Sequence, residues 1–164
     1  MQEVYLLLGS NVGNRAKNLA KATQQIAQRC GEVFVQSHLY ETAAWGNTNQ
    51  QSFYNMSVGI HTDLLPESLL VTVKEIEQEV GRVETIHWGP RIIDIDIILY
   101  AQEIVDLPQL KIPHPYMHER RFTLTPLAEV AGSAFHPVFN KTVNELLKEC
   151  SDDSEVKAIN NCKP

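Results

Sequence analysis

The chain has 164 residues, of which 43% are hydrophobic, and a formal net charge of −6. That is enough for one globular domain whose core needs neither disulfides nor a structural metal, and an acidic balance with scattered basic residues leaves no electrostatic footprint for a nucleic-acid partner. Cys30, Cys150 and Cys162 are odd in number and lack CxxC spacing, which points to reduced thiols and a cytoplasmic setting, and no apolar run approaches the ~18 residues of a membrane span.

VYLLL (residues 4 to 8) predicts a strand, and GSNVGN (9 to 14) a turn into a helix over 15 to 30, with Leu19, Thr23, Ile26 and Cys30 at helical spacing, Asn14 as cap and Gly31 as stop. VFVQSHLY (33 to 40) is strand-like. ETAAWGNTNQQS (41 to 52) has no periodicity and predicts a long exposed loop, and FYNMSVGI (53 to 60) resumes as a strand. Pro66 suits the first turn of a second helix that Gly81 ends, with Leu69, Leu70, Val73, Ile76 and Val80 as its apolar stripe. Glu75 and Glu79 fall on the far side, while Glu77 lies within the apolar arc, where it either snorkels to solvent or accepts from a ligand hydroxyl.

GRVETIHWGPR (81 to 91) is a charged loop bounded by Gly and Pro that leads into the strand IIDIDIILY. EIVD and QLKIP suggest short strands, PHPYMHERRF (113 to 122) is irregular until after Pro115, and short helices follow Pro126 and cover 142 to 150 with Thr142 as cap. The tail from about residue 152 is polar and predicts fraying. The order strand, helix, strand, strand, helix, strand is a βαββαβ pattern. It predicts an α+β, ferredoxin-like antiparallel sheet with helices on one face and a C-terminal extension, all in a single domain.

Strand side chains alternate, so Ile93, Ile95, Ile97 and Leu99 share one face and Asp94 and Asp96 the other. Two carboxylates about 6 Å apart repel by ~3 kcal/mol at an effective dielectric near 20, so a partly buried pair requires cations, and oxygen-only ligands favour magnesium. A solvent-facing strand side is the plainer alternative. Arg82 and Arg91 flank the loop before the acids and suit phosphate oxygens. His114, Tyr116, His118, Arg120 and Arg121 form the densest polar cluster; Pro115 breaks the helix a His114–His118 zinc pair would want, and phosphate contacts fit better. Phe53, Trp45, Trp88 and Phe122 lie in or beside loops where rings could sandwich a flat heterocycle, and Asn55 shares the strand face of Phe53. Neither a P-loop nor a dinucleotide-fold glycine motif is present.

Taken together, LGSNVGNR, FYN at 53 to 55, GR at 81 to 82, WGPRIIDIDIILY, and PHPYMHERRF followed by LTPL resemble the 6-hydroxymethyl-7,8-dihydropterin pyrophosphokinases of folate synthesis, from about residue 3 to residue 150. The resemblance implies transfer of the β,γ-diphosphate of ATP onto a pterin hydroxymethyl group by a protein that is usually a monomer. It implies that Asp94 and Asp96 bind two magnesium ions, and that Arg82, Arg91 and Trp88 belong to a loop closing over the triphosphate. Glu77, Ile97, His114 and Tyr116 would line the nucleotide; Thr42, Ala43, Trp45, Phe53, Asn55, Arg120 and Phe122 would hold the pterin. Phe53 stands where some relatives have Tyr, and Tyr116 where many bacterial members have Arg. The rival class is a non-catalytic ferredoxin-like module that binds a metabolite without turning it over.

Overall fold

The computed structural model describes residues 1–44, 49–81 and 90–159. The first strand, β1, runs Gln2–Ser10, and Asn14 caps α1, Arg15–Arg29, its Oδ1 accepting from the Lys17 backbone N–H at 3.0 Å. Gly31, at φ +152°, turns the chain into β2, Glu32–Gln36; a Cβ here would lie 2.0 Å from the His61 carbonyl oxygen, so only glycine fits. Residues 33 to 40 are not one strand. The chain leaves β2 at buried Ser37, whose Oγ accepts from the Ser57 N–H at 2.9 Å, and enters β3, Tyr40–Thr42. Both pair with successive stretches of β4, Phe53–Thr62, so Glu41 and Thr42 belong to the sheet and not to the loop the sequence predicts.

Helix α2, Pro66–Val80, starts at its proline and ends at Gly81, φ +117°, as its sequence signals predict. It leads toward β5, Asp94–Tyr100. β4, β1 and β5 are neighbours in that order, β2 and β3 lie along the outer edge of β4, and every pairing is antiparallel. The polar tail is not wholly frayed: β6, Val156–Ala158, extends the sheet beyond β3.

Helices cover both faces of this sheet. On one, α1 and α2 bury Leu19, Ile26, Leu69, Val73 and Ile76 against Leu6, Leu8, Met56 and Ile95. On the other, α3, Arg121–Ala131, and α4, Val143–Glu149, pack Leu124, Leu127, Val143 and Leu146 against Tyr5, Leu7, Ile98 and Leu99. The one-face arrangement expected from the sequence holds for α1 and α2 alone, because β1 is buried continuously from Val4 to Ser10 and such a strand needs cover on both sides. Pro126 sits inside α3 and does not precede it; its burial beside Leu124 and Leu127 outweighs the missing backbone donor. Thr142 caps α4 as expected, accepting from the Glu145 N–H at 3.1 Å. Among the described residues no helix is long and apolar enough to cross a membrane.

Glu129 on α3 ties this second layer to the β2–β3 junction. It accepts from the Tyr40 hydroxyl at 2.6 Å and the His38 backbone N–H at 3.1 Å, and pairs with His38 Nδ1 at 3.0 Å. Burial pushes the carboxyl up, but the bonds from Tyr40 and His38 prevail and hold it below its ordinary range. A depressed folded value stabilises fully above the unfolded carboxylate pKa of about 4.3, and the contribution fades as pH falls through the folded value. The urea midpoint of Glu129→Gln should therefore lie below that of the parent at pH 7, with the gap narrowing toward pH 3; a pH-independent gap would contradict this linkage.

Candidate active site

The acids sit on an edge strand whose register puts them opposite the central strand: Asp94 faces Gly9 and Asp96 faces Leu7. Across β1, Gly9 faces Asn55 and Leu7 faces Ser57. Asn55, Gly9 and Asp94 thus form one row on one face, with Asn55 and Asp94 roughly 10 Å apart at two strand spacings. Ile95, buried between the acids, points into the α1/α2 core, so the shared face expected of Asp94 and Asp96 is present. Leu99 does not follow Ile93, Ile95 and Ile97: the pairing shifts between Tyr5 and Leu6, and this bulge turns both Ile98 and Leu99 to the α3/α4 side.

Glu77 turns inward and does not snorkel to solvent. It is 1% exposed, and its Oε2 accepts from the Ile95 N–H at 2.8 Å, while Lys74 Nζ lies 3.2 Å from Oε1. It thereby occupies an edge donor of β5 between the two aspartates, which fixes the backbone that carries them. Burial and then the Asp94 charge push the Asp96 carboxyl well above its usual range, against Lys74 and Arg120 and with Glu77 reinforcing the rise. Such a pair is short of positive charge. Among the described residues no three His, Cys, Asp or Glu side chains converge as a metal cage, so a cation here would take two carboxylates from the chain and complete its shell with phosphate oxygens and water, which is how magnesium commonly binds.

The PHPYMHERRF segment lies along the same edge. The His114 N–H donates to the Ile98 carbonyl at 3.0 Å, at the bulge, and His114 Nδ1 accepts from the Tyr116 N–H at 3.2 Å. Its imidazole is pushed down to about 4 by burial and by Arg120, with Asp94 opposing, so the ring is neutral and carries its proton on Nε2. The Arg120 guanidinium carbon lies 5.2 Å from the Tyr116 ring centre and 5.6 Å from that of Phe122. Tyr116 is half exposed, and Phe122 packs against the α3/α4 core.

Phe53 and Asn55 stand at the other end of the row. Asn55 is buried and donates to Thr42 Oγ1 at 2.8 Å, and Ala43 is exposed just beyond. A Cβ on Gly9 would come within 2.7 Å of Asn55 Oδ1 and 3.5 Å of the Phe53 ring, so the missing side chain leaves room beside Asn55 and Phe53. Gly9→Ala should displace the Asn55 amide and raise the KM for a heterocyclic substrate about tenfold, the worth of one hydrogen bond, with the melting temperature little changed. An unchanged KM would count against Asn55 as a contact of that substrate.

Ile97 does not bring its side chain to the acids' face: it is buried in the α1/α2 core, and only its backbone lies along the edge strand. Arg91 is placed at the entry to β5 by its backbone. Arg82, Trp88 and Trp45 lie outside the described residues. Asn11, which the sequence offers only as part of a polar turn, is 2% exposed and bonded to both segments that flank the site.

The family model described as 7,8-dihydro-6-hydroxymethylpterin-pyrophosphokinase (HPPK) matches residues 5–132. The chain is 43% identical over 149 residues to the 2-amino-4-hydroxy-6-hydroxymethyldihydropteridine pyrophosphokinase of Aquifex aeolicus, covering 91% of this chain and 92% of that protein. It is 42% identical over 160 residues to the protein of that name from Methylorubrum extorquens, covering 97% and 99%. In fold it matches wild-type Plasmodium falciparum HPPK-DHPS with a TM-score of 0.71 at 19% identity, over 90% of this chain and 44% of that one. The chain belongs to the 7,8-dihydro-6-hydroxymethylpterin-pyrophosphokinase family.

Proposed function

We infer that this enzyme transfers diphosphate from ATP to 6-hydroxymethyl-7,8-dihydropterin, giving the pterin diphosphate and AMP in folate synthesis. The observation that supports carrying the reading onto particular residues is the row Asn55, Gly9, Asp94 on one sheet face, across which Asn55 would meet the pterin and the carboxylate pair the phosphates. In the reaction the pterin hydroxyl oxygen attacks the β-phosphorus in line, the bond from that phosphorus to the α,β-bridging oxygen breaks, and AMP leaves with the bond's electron pair. The hydroxyl proton passes to solvent, with no covalent enzyme intermediate.

Asp94 and Asp96 would hold two magnesium ions. They fit that role because burial and the adjacent Asp94 charge leave the Asp96 carboxylate wanting positive charge. When bound, the ions offset the polyphosphate charge and polarise the phosphoryl group under attack. Arg82, Arg91 and Trp88 would close over the triphosphate, neutral His114 would donate from Nε2 to a phosphate oxygen, and Tyr116 and the Ile97 backbone would flank the nucleotide. Glu77 would serve by holding β5 in place. Phe53 and Phe122 would stack the pterin, Asn55 and the backbone of Thr42, Ala43 and Trp45 would bond its edge, and Arg120 would sit between pterin and phosphates.

Incubation with ATP, magnesium and the reduced hydroxymethyl pterin should yield AMP and pterin diphosphate in equal amounts, and chelation of magnesium should stop both. Binding without AMP would indicate the metabolite-binding module instead. Release of orthophosphate or pyrophosphate without the pterin would indicate a hydrolase.

A further inference from the structure

His118 belongs to the polar segment that carries His114, Tyr116 and Arg120, yet its ring meets a different part of the chain. It stands edge-on to the Phe139 ring, 4.7 Å between centres at 71°. Its Nδ1 is buried with no hydrogen-bond partner among the described residues, and its Nε2 lies 3.6 Å from the neighbouring Glu119 carboxylate. A buried ring nitrogen without a partner costs stability, so packing against Phe139 is what holds the ring there.

Phe139 is itself anchored. It lies in the turn of a short hairpin in which Phe135 and His136 pair with Thr142 and Lys141. That turn winds around His136: the imidazole is buried, its Nδ1 accepts from the Val138 N–H at 3.2 Å and the Phe139 N–H at 3.1 Å, and its ring stacks on Phe139 at 4.3 Å and 19°. Burial, and then the charge of His118, hold the imidazole below its ordinary range, so Nδ1 keeps the lone pair that the turn uses. Phe139 is thus fixed from behind by a buried residue although its own ring is partly exposed.

The segment it braces has little rigidity of its own. Met117–Glu119 is a single 3-10 turn, closed by the Met117 N–H to the His114 carbonyl at 3.2 Å and the Glu119 N–H to the Tyr116 carbonyl at 3.0 Å. Met117 pins one side of it in the α3/α4 core, and His118 braces the other against Phe139. Arg120 comes next, in extended backbone between this turn and α3, with its guanidinium beside the Tyr116 and Phe122 rings. Rotation of the turn about Met117 would shift Tyr116 relative to Phe122 and carry the guanidinium with it.

We propose that His136, Phe139 and His118 form a buttress behind the substrate edge, positioning residues that act on the reaction by setting where the Arg120 guanidinium lies. This rests on the proposed place of Arg120 between pterin and phosphates. None of the three need touch a substrate.

The test is a double-mutant cycle on steady-state AMP formation from ATP, magnesium and 6-hydroxymethyl-7,8-dihydropterin. Phe139→Ala should lower kcat about tenfold, the scale of a catalytic group displaced by a fraction of an ångström, with the KM for ATP within about twofold of the parent. Phe139→Tyr keeps the ring face and should stay within about twofold of the parent in both constants. In the Arg120→Ala background Phe139→Ala should cost nothing more, because the group it positions is gone. His136→Asn keeps an acceptor for the turn but loses the stacked ring; it should lower kcat about threefold, again only where Arg120 is present, and it carries the test if the alanine variant does not fold. Losses at Phe139 and Arg120 that multiply would show a merely structural role and overturn the proposal, as would a Phe139→Ala enzyme with parental kcat. Parental kcat in Arg120→Ala would overturn the site assignment itself, and the proposal with it.

Discussion

Asp96→Asn should lower turnover by at least about 10³-fold, the scale of losing a main electrostatic contact in a reaction catalysed by positioning and charge, while the metal-free protein becomes more stable. The two effects have one cause. Burial and the neighbouring Asp94 raise the Asp96 carboxyl, so at neutral pH without cations folding must either bury a charge there or take up a proton, a cost that the neutral amide removes. Relief of ~1 kcal/mol would raise the melting temperature by about 2–4 °C in a chain of this size. Added magnesium and nucleotide should close or reverse that gap, because the parent then gains a ligand the variant cannot hold. Normal turnover in the variant, or a melting temperature well below that of the parent without metal, would contradict this reading of the pair.

Among the described glycines, Gly31→Ala should be the most damaging to stability. The residue has φ +152°, and the new Cβ would lie 2.0 Å from the His61 carbonyl oxygen and 3.1 Å from the Thr62 Cα, both backbone atoms of a central strand that cannot step aside. Backbone strain and overpacking together predict a loss of about 4 kcal/mol or more and a melting temperature lower by ~10 °C. Gly13 is the control: its φ is +66°, but nothing lies within 4 Å of its Cβ position, so Gly13→Ala should cost only the ~1–2 kcal/mol of a left-handed alanine. Equal losses at the two positions would mean that the close approach to β4 is not what requires Gly31.

The paired acids were legible because the two-residue period of a strand needs no tertiary information, and the intervening isoleucines mark the buried side. Leu99 was not, since a bulge inserts one residue into one strand and leaves no trace in a continuous apolar run. The second helix layer was half visible: α4 had a threonine cap, but the start of α3 was hidden by an internal proline that local chemistry disfavours and burial tolerates. β6 is three residues of unremarkable composition, and its pairing with β3 exists only in three dimensions. Glu77 could be seen to face inward, yet not that its partner would be a backbone N–H between the aspartates. Asn11 gave the least warning, because asparagine in a Gly/Ser turn ordinarily serves its own turn. Its reach to residues 50, 51 and 91 depends on where β1 ends relative to its neighbours.

The measurement closest to the central claim is anomalous diffraction from crystals grown with manganese, α,β-methylene ATP and 6-hydroxymethylpterin. The account requires two manganese peaks between the Asp94 and Asp96 carboxylates and the nucleotide phosphates, with the pterin ring beside Asn55. Nucleotide bound with both carboxylates facing bulk solvent and no peak near them would contradict it.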